Sequence, residues 1–130
     1  MYKILVVDDE QKIAQILKEF LNKMGFDVIT APGGAAAIDI VHSDTKIDLM
    51  LLDMKMPDVA GFDVLNAMKD MNKKIKTVIL TGSVDADLYQ NELAKLDYHP
   101  DDIVYKPVDL FILLEAVKNK LGIDSVKGVS

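Results

Sequence analysis

The sequence contains no cysteine and no long apolar run. Without cysteine there can be no disulfide framework, no thiol catalysis and no thiolate metal site. Apolar runs such as those at 4–7 and 78–80 are far too short to span a bilayer. A strand pattern starts directly after the first residues, so we predict no signal peptide. We therefore expect a cytoplasmic protein without membrane insertion.

Basic residues are also scarce. The chain has 15 Lys and Arg residues against 21 Asp and Glu residues, which gives a formal net charge of −6. Because such a surplus of negative charge repels a phosphate backbone, we do not expect nucleic acid as a direct partner. The only basic cluster is Lys73, Lys74 and Lys76, which we interpret as the solvated end of a helix.

What is present is typical of one globular domain. At 130 residues and 14.4 kDa, with 50% hydrophobic and 28% charged residues, the chain can bury a real core. Short apolar runs alternate with amphipathic segments, which predicts a strand and then a helix, repeated five times. The predicted strands lie at 3–7, 26–30, 49–52, 76–80 and 102–105, and the predicted helices near 13–24, 34–43, 61–71, 84–96 and 110–121.

Some helix ends and faces can also be predicted. Gly25 is placed to end the first helix in a left-handed conformation, and Asp109 can cap the last one. The segment Pro32-Gly33-Gly34 is interpreted as a turn, since it lacks the rest of any phosphate-loop motif. Two helices have apolar stripes that we expect to face the core: Ile13, Ile16, Leu17, Phe20, Leu21 and Met24 in the first helix, and Leu88, Leu93 and Leu96 in the fourth.

Repeated strand–helix units predict an α/β fold with a parallel sheet and helices on both faces. The first, third and fourth strands are solidly apolar, which places them in the centre, whereas the second and fifth are mixed or short. The order 2-1-3-4-5 satisfies this pattern with right-handed crossovers. It is the order of the flavodoxin-like (βα)5 doubly wound fold, in which ligands bind at the carboxyl edge of the sheet.

Five polar residues follow or end four different strands of this sheet. Asp8 and Asp9 follow the first strand, Asp53 the third, Thr81 the fourth and Lys106 the fifth. We expect the order 2-1-3-4-5 to bring all five to one edge. Two like charges about 4 Å apart repel by about 4 kcal/mol at an effective dielectric constant of about 20, so at least one carboxylate should tend to protonate unless a divalent cation is bound. Hard oxygen ligands favour Mg²⁺.

With a cation bound, Asp53 can attack an electrophilic phosphorus atom, as carboxylates do in aspartyl-phosphate enzymes. The metal, the Lys106 ammonium and the Thr81 hydroxyl can then contact the phosphoryl oxygens. Gly82 leaves room beside Thr81 that a bulky side chain would close. Because the sequence has no G-x-x-x-x-G-K-[ST] motif, it has no nucleotide-binding loop of that kind. The phosphoryl group must therefore arrive already activated on another molecule.

The sequence resembles the receiver domain of two-component response regulators over residues 2–121. The matching motifs are V-D-D-E at 7–10, D-x-x-M-P-x-x-x-G at 53–61, L-T-G at 80–82 and K-P at 106–107. The resemblance implies that Asp53 accepts a phosphoryl group from a phosphohistidine. It also implies that Asp8, Asp9, Asp53 and the Lys55 main-chain carbonyl bind Mg²⁺, that Thr81 and Lys106 contact the phosphoryl group, and that the Lys106-Pro107 bond is cis.

The resemblance carries further expectations. The receiver domain would occupy residues 1–121, and 122–130 would be a tail or the start of a linker, with no output domain after Gly122. The partner would be a sensor histidine kinase or a histidine phosphotransfer protein, with an unknown downstream partner and a possible phosphorylation-dependent dimer. The domain would be a signalling switch and not an enzyme, beyond catalysing its own phosphorylation and dephosphorylation.

Two positions depart from the family pattern. Ile103 stands where the family usually has a switch Tyr or Phe, and Tyr105 lies on the same strand face nearer the strand end. Lys55 places a long cation at the rim of the site, where it could shield a phosphoryl group from water. We therefore expect a long-lived phosphoryl group and a modest switch centred on the loop after Thr81.

Three other functions compete with this interpretation. An aspartate-nucleophile phosphatase would need D-x-D, whereas this chain has Asp53-x-Lys55. A flavin binder would place phosphate beside Asp8 and Asp9, which would repel it. The serious alternative is an interaction module that keeps the fold but signals without phosphorylation. The intact set of polar residues argues against it, and Ile103 argues mildly for it.

Overall fold

The computed structural model describes residues 1–123, apart from the side chains of Ser83, Val84 and Ala86. Its strands are β1 Lys3–Val7, β2 Asp27–Ala31, β3 Leu49–Asp53, β4 Lys76–Thr81 and β5 Ile103–Tyr105. Its helices are α1 Gln11–Lys23, α2 Gly34–His42, α3 Gly61–Asp70, α4 Ser83–Lys95 and α5 Leu110–Leu121. Of the predicted tail at 122–130, residues 124–130 lie outside the described residues. No helix in the described part of the chain is long and apolar enough to cross a membrane.

The strands form one parallel sheet in the order β2-β1-β3-β4-β5, so the predicted flavodoxin-like fold is confirmed. Every residue of β3 is buried, as expected for a central strand covered on both faces. One face packs on α1 and α5, through residues such as Ile4, Leu51, Leu17 and Val117. The other packs on α2, α3 and α4, through residues such as Leu5, Met50, Val64 and Leu93. The sheet therefore lies between two apolar layers that cover its faces. Its carboxyl edge is the place where ligands bind in this fold.

Three residues of the predicted apolar stripes lie at the surface. Leu88 is 67% exposed, Ile16 is 51% exposed and Met24 is 46% exposed, so the prediction that they face the core was wrong for all three. Leu88 lies five residues before the buried Leu93, and five residues at 3.6 per turn place two side chains about 140° apart on a helix. Tyr89 occupies the inner face instead, where its ring packs edge-to-face on Phe62 with the centroids 4.9 Å apart.

The basic cluster was also partly misinterpreted. Lys74 and Lys76 are exposed, but Lys73 is half-buried and its Nζ donates to the main-chain oxygens of Val41 and Ser43, at 3.2 Å for Ser43. These carbonyls lie at the end of α2, where helix oxygens have no partner within the helix. Lys73 therefore caps a helix more than 30 positions away in the sequence, which no local pattern could indicate.

The predicted helix ends are confirmed. Gly25 has φ +95° and Gly122 has φ +73°, the left-handed conformations that glycine adopts without strain. Asp109 Oδ1 accepts hydrogen bonds from the Phe111 and Ile112 amides at 2.9 and 3.1 Å. A 3-10 turn at Pro100–Asp102, which was not predicted, moves the start of β5 one residue later than expected.

Candidate functional site

The carboxyl edge of the sheet brings the predicted residues together. Asp53 ends β3 and Thr81 ends β4. Asp8 directly follows β1, and its amide donates to Ala31 O of β2 at 3.2 Å. The Lys106 amide donates to Thr81 O at 2.9 Å, so β5 stays paired with β4 up to the lysine. Backbone pairing thus fixes where each side chain leaves the sheet.

The acidic residues form a compact cluster. Carboxylate oxygens of Asp8, Asp9 and Asp53, one from each residue, lie within 4.8 Å of one another. Asp8 is 1% exposed and Asp53 is 2% exposed, whereas Asp9 is half-buried. Asp8 Oδ1 accepts a hydrogen bond from the Glu10 amide at 2.8 Å, but the buried Asp8 Oδ2 has no partner among the described residues. An orphaned buried oxygen beside two other carboxylates fits a hard cation as the missing partner.

The electrostatics of Asp8 support this interpretation. Burial raises the pKa of Asp8, and the Asp53 and Asp9 carboxylates raise it further. The Glu10 amide and the Lys106 ammonium act in the opposite direction but do not cancel the rise. Ionising Asp8 in the folded protein therefore costs free energy, and a bound cation would reduce that cost.

Lys106 contacts the centre of the cluster. Its Nζ lies 3.0 Å from Asp53 Oδ1, and the Lys55 amide donates to the same oxygen at 3.1 Å. The Lys106-Pro107 bond is cis, as predicted from the resemblance. Asp53 Oδ1 thus has both a cation and an amide as partners.

Thr81 and Gly82 form the remaining wall. Thr81 is buried, and its Oγ1 donates a long hydrogen bond of 3.4 Å to Gly82 O. An open cavity of about 400 Å³ adjoins these residues. A Cβ on Gly82 would meet Asp85 Oδ2 at an ordinary contact distance of 3.7 Å, so a methyl group would fit there. The cavity is lined by Asp9, Glu10, Asp53, Lys55, Thr81, Gly82, Asp85 and Lys106.

Lys55 and Ile103 occupy the positions where the sequence departs from the family pattern. The Lys55 side chain is exposed at the cavity rim, where a flexible cation was expected. Ile103 is half-buried against the core on the α2–α4 side of the sheet. Tyr105 is 48% exposed and pairs in register with Thr81. The effect of Ile103 on switching stays a prediction.

Sequence reasoning missed two residues around the site. Asp85, on the first turn of α4, borders the cavity, but acidic residues near helix starts are too common to single out. Asp58 lies in the segment after β3, and its carboxylate binds the first turn of α2. The motif D-x-x-M-P-x-x-x-G includes its position without specifying a residue there, so no signal marked it.

Comparison with known sequences gives a consistent result. Residues 4–118 match the response regulator receiver domain family. The chain is 37% identical over 125 residues to sporulation initiation phosphotransferase F of Bacillus subtilis, covering 95% of this chain and 96% of that protein. It is also 37% identical over 107 residues to the transcriptional regulatory protein CpxR of Escherichia coli. That match covers 82% of this chain but only 44% of CpxR, so the chain spans less than half of that relative.

Solved structures agree with the sequence matches. A response regulator receiver domain from Clostridium thermocellum is 31% identical with a TM-score of 0.80, over 94% of this chain and 95% of that one. The response regulator TrrA of Thermotoga maritima, solved in complex with Mg²⁺-BeF, is 33% identical with a TM-score of 0.77, over 93% and 100% of the two chains. The fold, the acidic cluster and these matches agree: the chain belongs to the response regulator receiver domains, the phosphoacceptor signalling switches of two-component systems.

Proposed function

We propose that Asp53 is the phosphoacceptor of this domain and takes its phosphoryl group from a histidine kinase or a histidine phosphotransfer protein. Response regulators receive phosphate from such donors. The observation that carries the assignment is the position of the Asp53 carboxylate, which is almost fully buried, 3.0 Å from the Lys106 ammonium and within 4.8 Å of two other carboxylates. No other carboxylate in the described part of the chain has both neighbours.

Asp8, Asp9 and Asp53 would hold Mg²⁺, together with the main-chain carbonyl of Lys55. Receiver domains bind Mg²⁺ at an acidic cluster of this kind, and the unpartnered Asp8 Oδ2 supports the same assignment. When bound, the ion neutralises the carboxylates and the charge on the transferred phosphoryl group.

Asp53 would act as the nucleophile. One of its carboxylate oxygens forms a bond to phosphorus while the bond from phosphorus to the donor's imidazole nitrogen breaks, and the imidazole leaves with the electron pair. The Lys106 ammonium would move from Asp53 to a phosphoryl oxygen, and the weakly bonded Thr81 hydroxyl would contact another.

Other features of the whole protein are proposals as well. We assign residues 1–121 to the receiver domain and 122–130 to a tail or linker. Receiver domains are signalling domains, and we propose that this one acts on no substrate beyond its own phosphorylation and dephosphorylation. A cytoplasmic location, an unidentified downstream partner and a phosphorylation-dependent dimer complete the proposal. An interaction module that needs no phosphate is the competing function.

Incubation with acetyl phosphate and Mg²⁺ tests the phosphoacceptor. We expect intact-mass spectrometry to show one added phosphoryl group, stable in acid and labile in base, and peptide mapping to place it on Asp53. Asp53→Asn should gain none, while Asp39→Asn, which alters an exposed residue of α2, should behave as wild type. A label on Ser, Thr or His would refute the assignment, and an unlabelled wild type would favour the interaction module.

Lys55→Ala is expected to shorten the lifetime of the phosphorylated protein about two- to fivefold, which corresponds to about 0.5–1 kcal/mol from an exposed charge pair. The aliphatic stem of Lys55 shields the approach of water, and its ammonium attracts the phosphoryl oxygens. Lys46→Ala is the control, because Lys46 is also exposed but precedes β3 at the opposite edge of the sheet. The lifetime can be followed by loss of the added mass. Equal lifetimes for the two variants would show that Lys55 has no protective role.

A further inference from the structure

The segment at 54–60, which joins β3 to α3, is tied to the site at both ends. At its start, the Lys55 amide donates to Asp53 Oδ1 at 3.1 Å. At its end, the Gly61 amide donates to Met54 O at 3.1 Å, and a Cβ on Gly61 would lie 2.8 Å from Met54 Cα, which is too close. Only glycine therefore lets the segment close on itself. Its middle, however, extends away from the site towards α2.

Asp58 connects this middle part to α2. Its Oδ1 accepts from the Gly34 amide and its Oδ2 from the Ala35 amide, both at 3.3 Å. Gly34 and Ala35 are the first two residues of α2, and the residue before them, Gly33, has no side chain with which to cap the helix. Amides at a helix start have no partner within the helix. Asp58 thus supplies, from 24 positions away, the cap that the local sequence lacks.

The glycines of Pro32-Gly33-Gly34 make room for this contact. Gly33 has φ −178°, an extended conformation open to any residue, so its backbone does not require glycine. The surrounding space does require glycine, because a Cβ on Gly33 would lie 2.6 Å from Asp58 Oδ2. Likewise, a Cβ on Gly34 would lie 2.5 Å from Val59 O. Both glycines therefore serve the approach of the 54–60 segment. This contact gives the two glycines a role beyond that of a local turn.

Charge favours the same arrangement. The amides of Val59 and Ala35 are the leading causes that hold the pKa of Asp58 below its ordinary value. Asp58 is therefore ionised at neutral pH, and a carboxylate is favoured at the positive end of the helix dipole.

We infer that Asp58 is a positioning residue that fixes the 54–60 segment against α2 and so holds the Lys55 main chain in place for Mg²⁺. The inference rests on the proposed function, which assigns the Lys55 carbonyl to the metal. Only two residues separate Lys55 from Asp58: the buried Met56 and the conformationally restricted Pro57. Without the Asp58 contact the segment has more conformational freedom, and metal binding must then order it.

Asp58→Ala is expected to raise the Kd for Mg²⁺ about tenfold, the lower end of what outer-shell changes produce at metal sites. Calorimetric titration of the unphosphorylated protein measures this without relying on activity. Asp48→Ala is the matched control, because it removes the same charge and a similar hydrogen bond at the other edge of the sheet: the Lys3 amide donates to Asp48 Oδ2 at 2.8 Å. Its Kd should match wild type. A wild-type Kd in Asp58→Ala, or equal weakening in both variants, would overturn the inference.

Asp58→Asn separates position from charge. Its side-chain oxygen still accepts one amide bond, so its Kd should lie nearer to wild type than that of Asp58→Ala. Equal Kd values for the Asn and Ala variants would mean that Asp58 acts only through its charge, which would also overturn the inference.

Gly33→Ala tests the contact from the other side. Its Cβ should displace the Asp58 carboxylate and weaken Mg²⁺ binding in the wild-type background, but not further in the Asp58→Ala background. If Gly33→Ala weakened Mg²⁺ binding equally in both backgrounds, its effect would not act through Asp58, and the inference would be contradicted. If wild type itself does not bind Mg²⁺, the proposed function fails; normal binding by wild type and Asp58→Ala alike refutes only the positioning role.

Discussion

Asp8→Asn is expected to raise the melting temperature of the metal-free protein, to abolish its stabilisation by Mg²⁺ and to slow phosphorylation at least about 100-fold, since a metal ligand is lost. Asparagine keeps the oxygen that accepts from the Glu10 amide, and its new amide group can donate to the neighbouring carboxylates. The change thus removes a buried negative charge and satisfies the oxygen position that has no partner. We expect a gain of about 3 °C or more.

The sign follows from the raised pKa of Asp8. A carboxyl that holds its proton more tightly in the folded state lowers stability as the pH rises from its ordinary value of 3.8 through the raised one. Above that window Asp8 therefore makes the folded state less stable, so the asparagine variant is expected to be more stable than wild type there. Below the window this difference in stability disappears.

Thermal melts with EDTA and with Mg²⁺ measure both effects of Asp8→Asn. Mg²⁺ at ten times Kd should raise the free energy of unfolding of wild type by about 1.4 kcal/mol and should leave that of the variant unchanged. Asp39→Asn is the control, because it removes the same negative charge from an exposed residue. It should change neither the melting temperature in EDTA nor the stabilisation by Mg²⁺. A variant that melts lower than wild type in EDTA, or that still responds to Mg²⁺, would contradict the assignment of a metal to Asp8.

Lys106→Met should lower the free energy of unfolding in metal-free buffer by about 2–3 kcal/mol, because it leaves the Asp53 carboxylate buried without its cation. Methionine keeps the aliphatic stem, so little packing is lost. Mg²⁺ at one hundred times Kd adds about 2.7 kcal/mol, which should recover most of this loss. With one positive charge removed from the site, the variant should also bind Mg²⁺ more tightly than wild type.

Lys3→Met provides a close control for this prediction. The Lys3 side chain is 34% exposed, against 32% for Lys106, but its partner Asp27 is 49% exposed whereas Asp53 is 2% exposed. Breaking such a surface pair should cost about 0.5 kcal/mol or less. Urea denaturation in EDTA compares the two variants directly. Similar losses would show that burial of Asp53 does not strengthen its pairing with Lys106.

Patterns within short segments predicted most of the fold. Runs of apolar residues marked β1, β3 and β4 as central, and the alternation of strands with helices led to the order 2-1-3-4-5. The site followed from the same reasoning, because residues at the carboxyl ends of parallel strands must meet at one edge. Periodicity was weaker evidence where the apolar stripe was sparse, as in α4, where Leu88 proved to be exposed.

The sequence by itself determined which segments form strands and helices and which residues meet beside Asp53, because burial periodicity and strand ends are local properties of the chain. Only the tertiary structure decided how α2 is held. Its first amides are bound by Asp58 and its last carbonyls by Lys73, from segments on either side of α3. Such contacts depend on how α3 lies beside α2, since a side chain can satisfy a distant backbone group only after both helices have packed on the sheet.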